Sequence, residues 1–228
     1  MREALTRILG FKASLGLHRS DRPAPDPEVA SGAIATEEHL RWARDVADRA
    51  ITLVKDVDGL LPLDVRKHRR VLLHDLHGGE GFFDSSDRGA DRLLEGLLAA
   101  EGFEVSRFRS TAGREGDVSP TTDTIGCYDL ILYLARLHTR SNQTTVRIEW
   151  AMPMGANVPT FMTSVPTLFV SVENPYHLLD VPRVPAFINT YNSGETTIRA
   201  LVEKLLGRSP FRGVSPVDPF CGRWDARL

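Results

Sequence analysis

Apolar and polar positions alternate along this chain in blocks that change period. Ile51, Thr52, Leu53 and Val54 form an apolar, largely β-branched run; Lys55 to Gly59 is polar; Leu60 and Leu61 resume the apolar pattern before Pro62. β-Branched residues suit a half-buried pleated surface, and Asp58-Gly59 is a turn pair, so this stretch reads as a strand and a turn. Ahead of it, Leu40, Ala43, Ala47 and Ala50 recur on one helical face, with Thr36 as cap and Glu37 and Glu38 in the first turn. Arg70 to Leu76 is a continuous apolar run entering a Gly-rich turn, as in a buried parallel strand. A helix over Asp87 to Ala100, stopped by Gly102, and an alternating strand over Phe103 to Phe108 complete a βαβ unit.

The second half continues in the same way. Tyr128 to Ala135, Thr167 to Val172 and Pro185 to Thr190 read as strands, and Ala156 to Met162 as a short helix. Ser141 to Trp150 fits a strand or an irregular segment. Ser193 to Leu206 is a helix with Asn192 as cap, Glu195 as capping-box partner and Gly207 just beyond its end. Alternating strands and helices predict an α/β fold, a three-layer αβα sandwich with a mostly parallel sheet. An isolated helix over residues 1–18 and a Pro-rich linker over residues 19–36, expected to be extended, precede the sandwich of residues 37–228.

Composition narrows the classes. The 228 residues are 42% hydrophobic and 25% charged, which is globular. A formal charge of −2 gives no electrostatic case for nucleic acid or an anionic membrane surface. The sequence has no apolar run long enough for a membrane span, and the amphipathic start lacks a signal-peptide core. Two distant cysteines, Cys127 and Cys221, suit inert thiols in a cytoplasmic protein.

Three pieces of wording are more specific than the pattern. AITLVKDVDGLLPL, SVENPYHL and VPAFINTYNSGETTIRALVEKLLGRSPFRGVSPV together resemble the C-terminal domain of family 3 glycoside hydrolases, the group of β-glucosidases and bacterial β-N-acetylhexosaminidases. The Asn-Pro-Tyr turn and the SPVDPFCG ending are most similar to the hexosaminidase branch; residues 109–166 match loosely. RILGFKASLGL resembles the last helix of the family's catalytic barrel. The resemblance implies a chain that begins at the tail of a barrel and braces that barrel, in cis or in trans, while rimming a carbohydrate site. A second copy of the chain is the other partner expected for the orphan first helix.

Retaining glycosidases need a nucleophilic carboxylate and a proton donor, about 5–5.5 Å apart where both are carboxyls. In the family the nucleophilic Asp lies on the barrel, and the hexosaminidase branch takes its acid/base from a barrel Asp-Ser-His after a Lys-His-Phe-Pro-Gly-His-Gly lead-in. Neither segment occurs here, so no catalytic residue is assigned and the chain alone is expected to be inactive. Asp75-Leu76-His77 copies the Asp-x-His spacing in a different context. Glu149 and Glu173 are the nearest candidates for the general-acid Glu that some β-glucosidases draw from this domain.

Loops at the carboxyl ends of parallel strands gather into a crevice. The candidates for a substrate rim or interdomain face are therefore His74, His77, Arg136, His138, Asn174, Tyr176, His177, Tyr191 and Asn192. Asn174 and Asn192 read equally as turn and cap residues. No cofactor is expected. His74, Asp75 and His77 lack a fourth ligand, so no metal is expected either. HGGEG lacks a complete phosphate-binding pattern. A stand-alone carbohydrate-binding module is the rival reading; a small α/β hydrolase or nucleotide binder is disfavoured by the absence of a Gly-x-Ser-x-Gly elbow.

Overall fold

The computed structural model describes residues 2–19, 26–77, 89–108, 125–137, 147–150, 155 and 157–222. They belong to two compact units, Met1–Trp42 and Ala43–Leu228.

In the first unit, α1 (Arg2–Ser14) has no buried residue. Leu5, Ile8, Leu9 and Phe11 are all more than half exposed. The helix closes at Gly16, which adopts φ +69°, with Leu17 N–H donating to Lys12 O at 3.0 Å. The expected extended linker is corrected over α2 (Pro27–Gly32): Asp26 caps this short helix by accepting from Glu28 N–H at 2.9 Å. A proline at the first helical position is a helix-start residue, and that reading outweighs the extended one here. Thr36 accepts from His39 N–H at 3.3 Å at the start of α3 (Glu37–Ala50). The expected apolar face of α3 is also corrected. Ala47 is its sole buried residue, while Leu40, Trp42 and Val46 are exposed.

The second unit is built on a six-stranded sheet: β1 (Thr52–Asp56), β2 (Arg70–His77), β3 (Glu104–Arg107), β4 (Leu130–Arg136), β5 (Thr167–Ser171) and β6 (Ala186–Asn189). Their spatial order is β1-β6-β5-β4-β2-β3, and every pairing is parallel except β1 with β6. The α/β fold with a mostly parallel sheet is therefore present. The chain passes from β2 through α4 (Ala90–Ala100) to β3 on one side, then returns to β4 on the other side of β2. The strand order reverses direction between β2 and β4, which makes the carboxyl ends of those strands the topological switch point.

Period-two alternation divides the core between two faces. On one face Val71, Leu73, Leu130, Leu132, Leu134, Leu168, Val170 and Ile188 pack with α4 and α5 (Glu195–Leu205). On the other face Leu72, Leu76, Ile131, Tyr133, Phe169 and Phe187 pack with Phe161, Val165, Leu178, Val181, Val184 and Phe220. Among the described residues, the cover of this second face is turns and a 3-10 turn at His177–Leu179 rather than a helix. The short helix expected over 156–162 is likewise replaced by turns over 157–164. Residues 147–150 are irregular, which settles that part of the ambiguous segment.

The last helix starts two residues later than the sequence suggested. Gly194 is the N-cap of α5, and Asn192 Oδ1 instead accepts from Gly194 N–H at 2.6 Å in the preceding turn. Its far end is as expected. Gly207 adopts φ +71°, so Arg208 N–H reaches Glu203 O at 2.8 Å and Gly207 N–H reaches Lys204 O at 3.0 Å. Those two bonds satisfy carbonyls that a helix end otherwise leaves unpaired.

Candidate functional site

The carboxyl ends of β2 and β4 bring together a polar cluster. Asp75, His77 and Arg136 share one sheet face, and His77 is the register partner of Arg136. Arg136 grips Asp75 with both ends of its guanidinium, Nε to Oδ1 at 2.9 Å and Nη2 to Oδ2 at 2.6 Å. His77 Nδ1 lies 3.2 Å from Asp75 Oδ2. An ionised carboxylate only accepts, so the imidazole carries its proton on Nδ1. Asp91, in the first turn of α4, extends the cluster: Arg107 Nη1 donates to it at 2.6 Å and Arg107 Nε donates to Glu95 at 2.5 Å. Burial pushes the Asp91 carboxyl upward, but the Arg107 hydrogen bond and the Arg136 and Arg107 charges win and hold it below the usual range.

Sequence reasoning missed Asp91, Glu95 and Arg107. The i,i+4 spacing of Asp91 and Glu95 is visible, but the cation that joins them comes from the next strand, 12 residues beyond Glu95.

His74 is corrected as a rim residue. It lies inside the sheet, 1% exposed, with its ring stacked on Phe108 at 4.4 Å and on Tyr133 at 4.5 Å. The row continues through Phe169 and Phe187, each ring sitting beside its register partner on the next strand. Neither ring nitrogen of His74 has a hydrogen-bond partner, and desolvation drives its pKa down to about 3. It is a neutral aromatic in a stack, and an alternating strand pattern does not separate that role from a polar one.

The Asn-Pro-Tyr turn after β5 is held from within. Ser171 Oγ donates to Asn174 O at 2.5 Å, and Asn174 Oδ1 accepts from Tyr176 N–H at 2.9 Å. His177 is fully buried, with Nδ1 2.9 Å from Ser171 Oγ. Because the serine proton goes to a carbonyl, this Ser–His pair has the wrong polarity for an activated nucleophile; the histidine donates. Burial lowers the His177 pKa to about 4. Asn174 and His177 are thus turn-forming, while Tyr176 remains 45% exposed. Glu173 accepts from Ser193 Oγ at 2.6 Å beside α5, and Glu149 is exposed.

Tyr191 follows β6 with φ +60°, unusual for an aromatic residue, and its hydroxyl donates to Thr52 Oγ1 at 3.2 Å. It lines an open cavity of about 790 Å³ with Asp45, Arg49, Arg212 and Val214. Of the expected rim, the structure therefore joins His77 to Arg136, keeps Tyr176 and Tyr191 at separate strand ends, and removes His74 and His177 to the interior. His138 and the HGGEG glycines lie outside the described residues. No group of three metal-ligating side chains occurs among the described residues, and no helix there is long and apolar enough to cross a membrane.

No family model matches the chain. It is 52% identical over 228 residues to a β-N-acetylglucosaminidase/β-glucosidase of Cellulomonas fimi, covering 99% of this chain and 40% of that protein. Among solved structures, a β-glucoside phosphorylase, BglX, superposes with a TM-score of 0.81 at 44% identity, over 99% of this chain and 39% of that one. The chain is similar to one part of the larger family 3 glycoside hydrolases. A family 3 β-N-acetylglucosaminidase from Paenibacillus shares the fold with a TM-score of 0.56 at 17% identity, over 92% of this chain and 38% of that one. The chain thus spans about two-fifths of the length of each of these three proteins.

Proposed function

We propose that this chain is the part of a family 3 enzyme that braces a catalytic barrel and rims its sugar site, the whole enzyme acting on β-N-acetylglucosaminides or β-glucosides. Residues 1–18 would be the tail helix of that barrel, 19–36 the connection, and 37–228 the bracing domain. The observation that carries this reading is the first helix: α1 exposes Leu5, Ile8, Leu9 and Phe11 together, with nothing of it buried. Solvated helices seldom leave such a stripe uncovered. The chemistry would reside in the barrel, because the carboxylates of the polar cluster around Asp75 and Asp91 are engaged by arginine among the described residues. The relatives' names differ on the acceptor, phosphate for one and glycosidase chemistry for the other; in this reading the barrel decides between them.

Mixing the chain with the remaining portion of the Cellulomonas relative tests this. A one-to-one complex that cleaves p-nitrophenyl N-acetylglucosaminide supports the reading. Self-association through α1 without binding that portion favours a homo-oligomer instead. The cavity beside Tyr191 keeps a stand-alone carbohydrate-binding module in play, and sugar binding without any barrel partner would favour it. Both cysteines are exposed free thiols, which suits a reducing, cytoplasmic setting.

A further inference from the structure

We propose that His77 is a sugar-binding imidazole at the switch point of the sheet, its Nε2 accepting a hydrogen bond from a sugar hydroxyl, with Asp75 and Arg136 as its positioning residues. The inference rests on the reading of this chain as the rim of a carbohydrate site and gives that rim a specific contact.

Three observations converge on it. The first is position: His77 and Arg136 end β2 and β4, where the strand order reverses and open α/β sheets form their crevice. The second is an uneven distribution of burial. Asp75 and Arg136 are largely buried, with side chains 17% and 11% exposed, and they hold each other through two hydrogen bonds. His77 is 58% exposed. The ion pair is complete without the histidine, and the histidine contributes little apolar burial. What the pair does for His77 is fix its ring and its tautomer, the arrangement by which a carboxylate behind an imidazole prepares the other nitrogen for a ligand. Among the described residues Nε2 has no second partner. The third is charge. Among the described residues Asp75, Asp91 and Glu95 stand against Arg107 and Arg136, a balance that suits a neutral polyol better than an anion.

The test uses the 228-residue chain labelled with nitrogen-15, following imidazole resonances while N-acetylglucosamine or glucose is added to about 100 mM, with inorganic phosphate as the charged control. We expect the His77 Nε2 resonance to move saturably with at least one sugar and to ignore phosphate. Asp75→Asn should shift the Nδ1 resonance before any sugar is added and weaken the response at least tenfold. His77→Gln, at an exposed position, should abolish the saturable response at neighbouring amides while leaving the remaining backbone spectrum in place.

Sugar-induced shifts at Tyr176 or Tyr191 with His77 unmoved would overturn this assignment and leave the rim reading standing. No shift anywhere with either sugar would overturn it together with the rim, while the barrel-association experiment stays independent. An equal response to phosphate would overturn the ligand class.

Discussion

Lys204 offers the sharpest stability test. It lies on α5 with its side chain fully buried, and its ammonium donates to Asp48 Oδ1 at 3.0 Å, Ser209 Oγ at 3.2 Å and Pro210 O at 2.8 Å. The Phe211 ring centroid is 5.7 Å away. One cation therefore ties the last turn of α3, the last helix and the tail. The Ser209 hydroxyl, and then Lys204 itself, hold the Asp48 carboxyl below its usual range. A depressed carboxylate contributes stability that is present above its unfolded pKa and is lost as pH falls through the folded one. Asp48→Ala leaves a buried ammonium with its charge uncompensated, which costs about 3–5 kcal/mol. Lys204→Met removes the charge and keeps the stem volume, while Asp48, about one-third exposed, can rehydrate. That variant should lose about 1–2 kcal/mol, on the scale of ordinary core and hydrogen-bond changes. For a chain of this size Asp48→Ala should lower Tm by roughly 6–20 °C. Urea titration and thermal melts followed by circular dichroism read both variants. The double variant should be more stable than the sum of the two losses predicts. The reasoning fails if Asp48→Ala stays within about 1 kcal/mol of the parent, or if Lys204→Met costs more than Asp48→Ala.

Other outcomes follow from the core and the turns. His74 and His177 are neutral when buried, at about 3 and about 4, so the unfolded chain binds more protons below its unperturbed histidine range. Stability should be complete above about pH 6.5 and fall as pH drops, by about 2 kcal/mol for each histidine at pH 5. His74→Phe keeps the ring stack, removes two unsatisfied nitrogens, and should flatten that acid limb by about half while stabilising the chain by about 1–3 kcal/mol at neutral pH; an unchanged slope in denaturant melts between pH 7 and 5 would contradict the assignment. A Cβ on Gly213 would come within 2.4 Å of Thr52 Oγ1 and 2.5 Å of Ala50 O, so Gly213→Ala should cost about 1–3 kcal/mol, read by the same melts. Tyr191→Phe removes the bond to Thr52 and should cost about 0.5–1.5 kcal/mol, with no loss expected if that hydroxyl is bonded to water instead.

The legible parts of the fold were those with a strong local period. β2, β4 and β5 are buried on both faces and read as uninterrupted apolar runs, and Gly207 marks the end of α5 because a left-handed residue is needed there. The illegible parts depend on partners distant in sequence. Nothing local says that His74 enters an aromatic row, because its neighbours Tyr133 and Phe108 arrive from other strands. Proline misled over 19–36, since Pro27 serves equally in an extended segment and at a helix start, and Asp26 decides between them. The polar cluster at the sheet's switch point was half visible: His77 and Arg136 are named by their positions at strand ends and Asp75 by its Asp-x-His spacing, whereas Asp91, Glu95 and Arg107 join them only once α4 and β3 are in place.

The account stands or falls on whether bond cleavage resides in these residues. The measurement is turnover of p-nitrophenyl N-acetylglucosaminide and p-nitrophenyl glucoside by the purified 228-residue chain, with and without phosphate. The account predicts rates at the no-protein background under both conditions. Turnover that co-purifies with the chain and disappears on substituting one of its own carboxylates would contradict it.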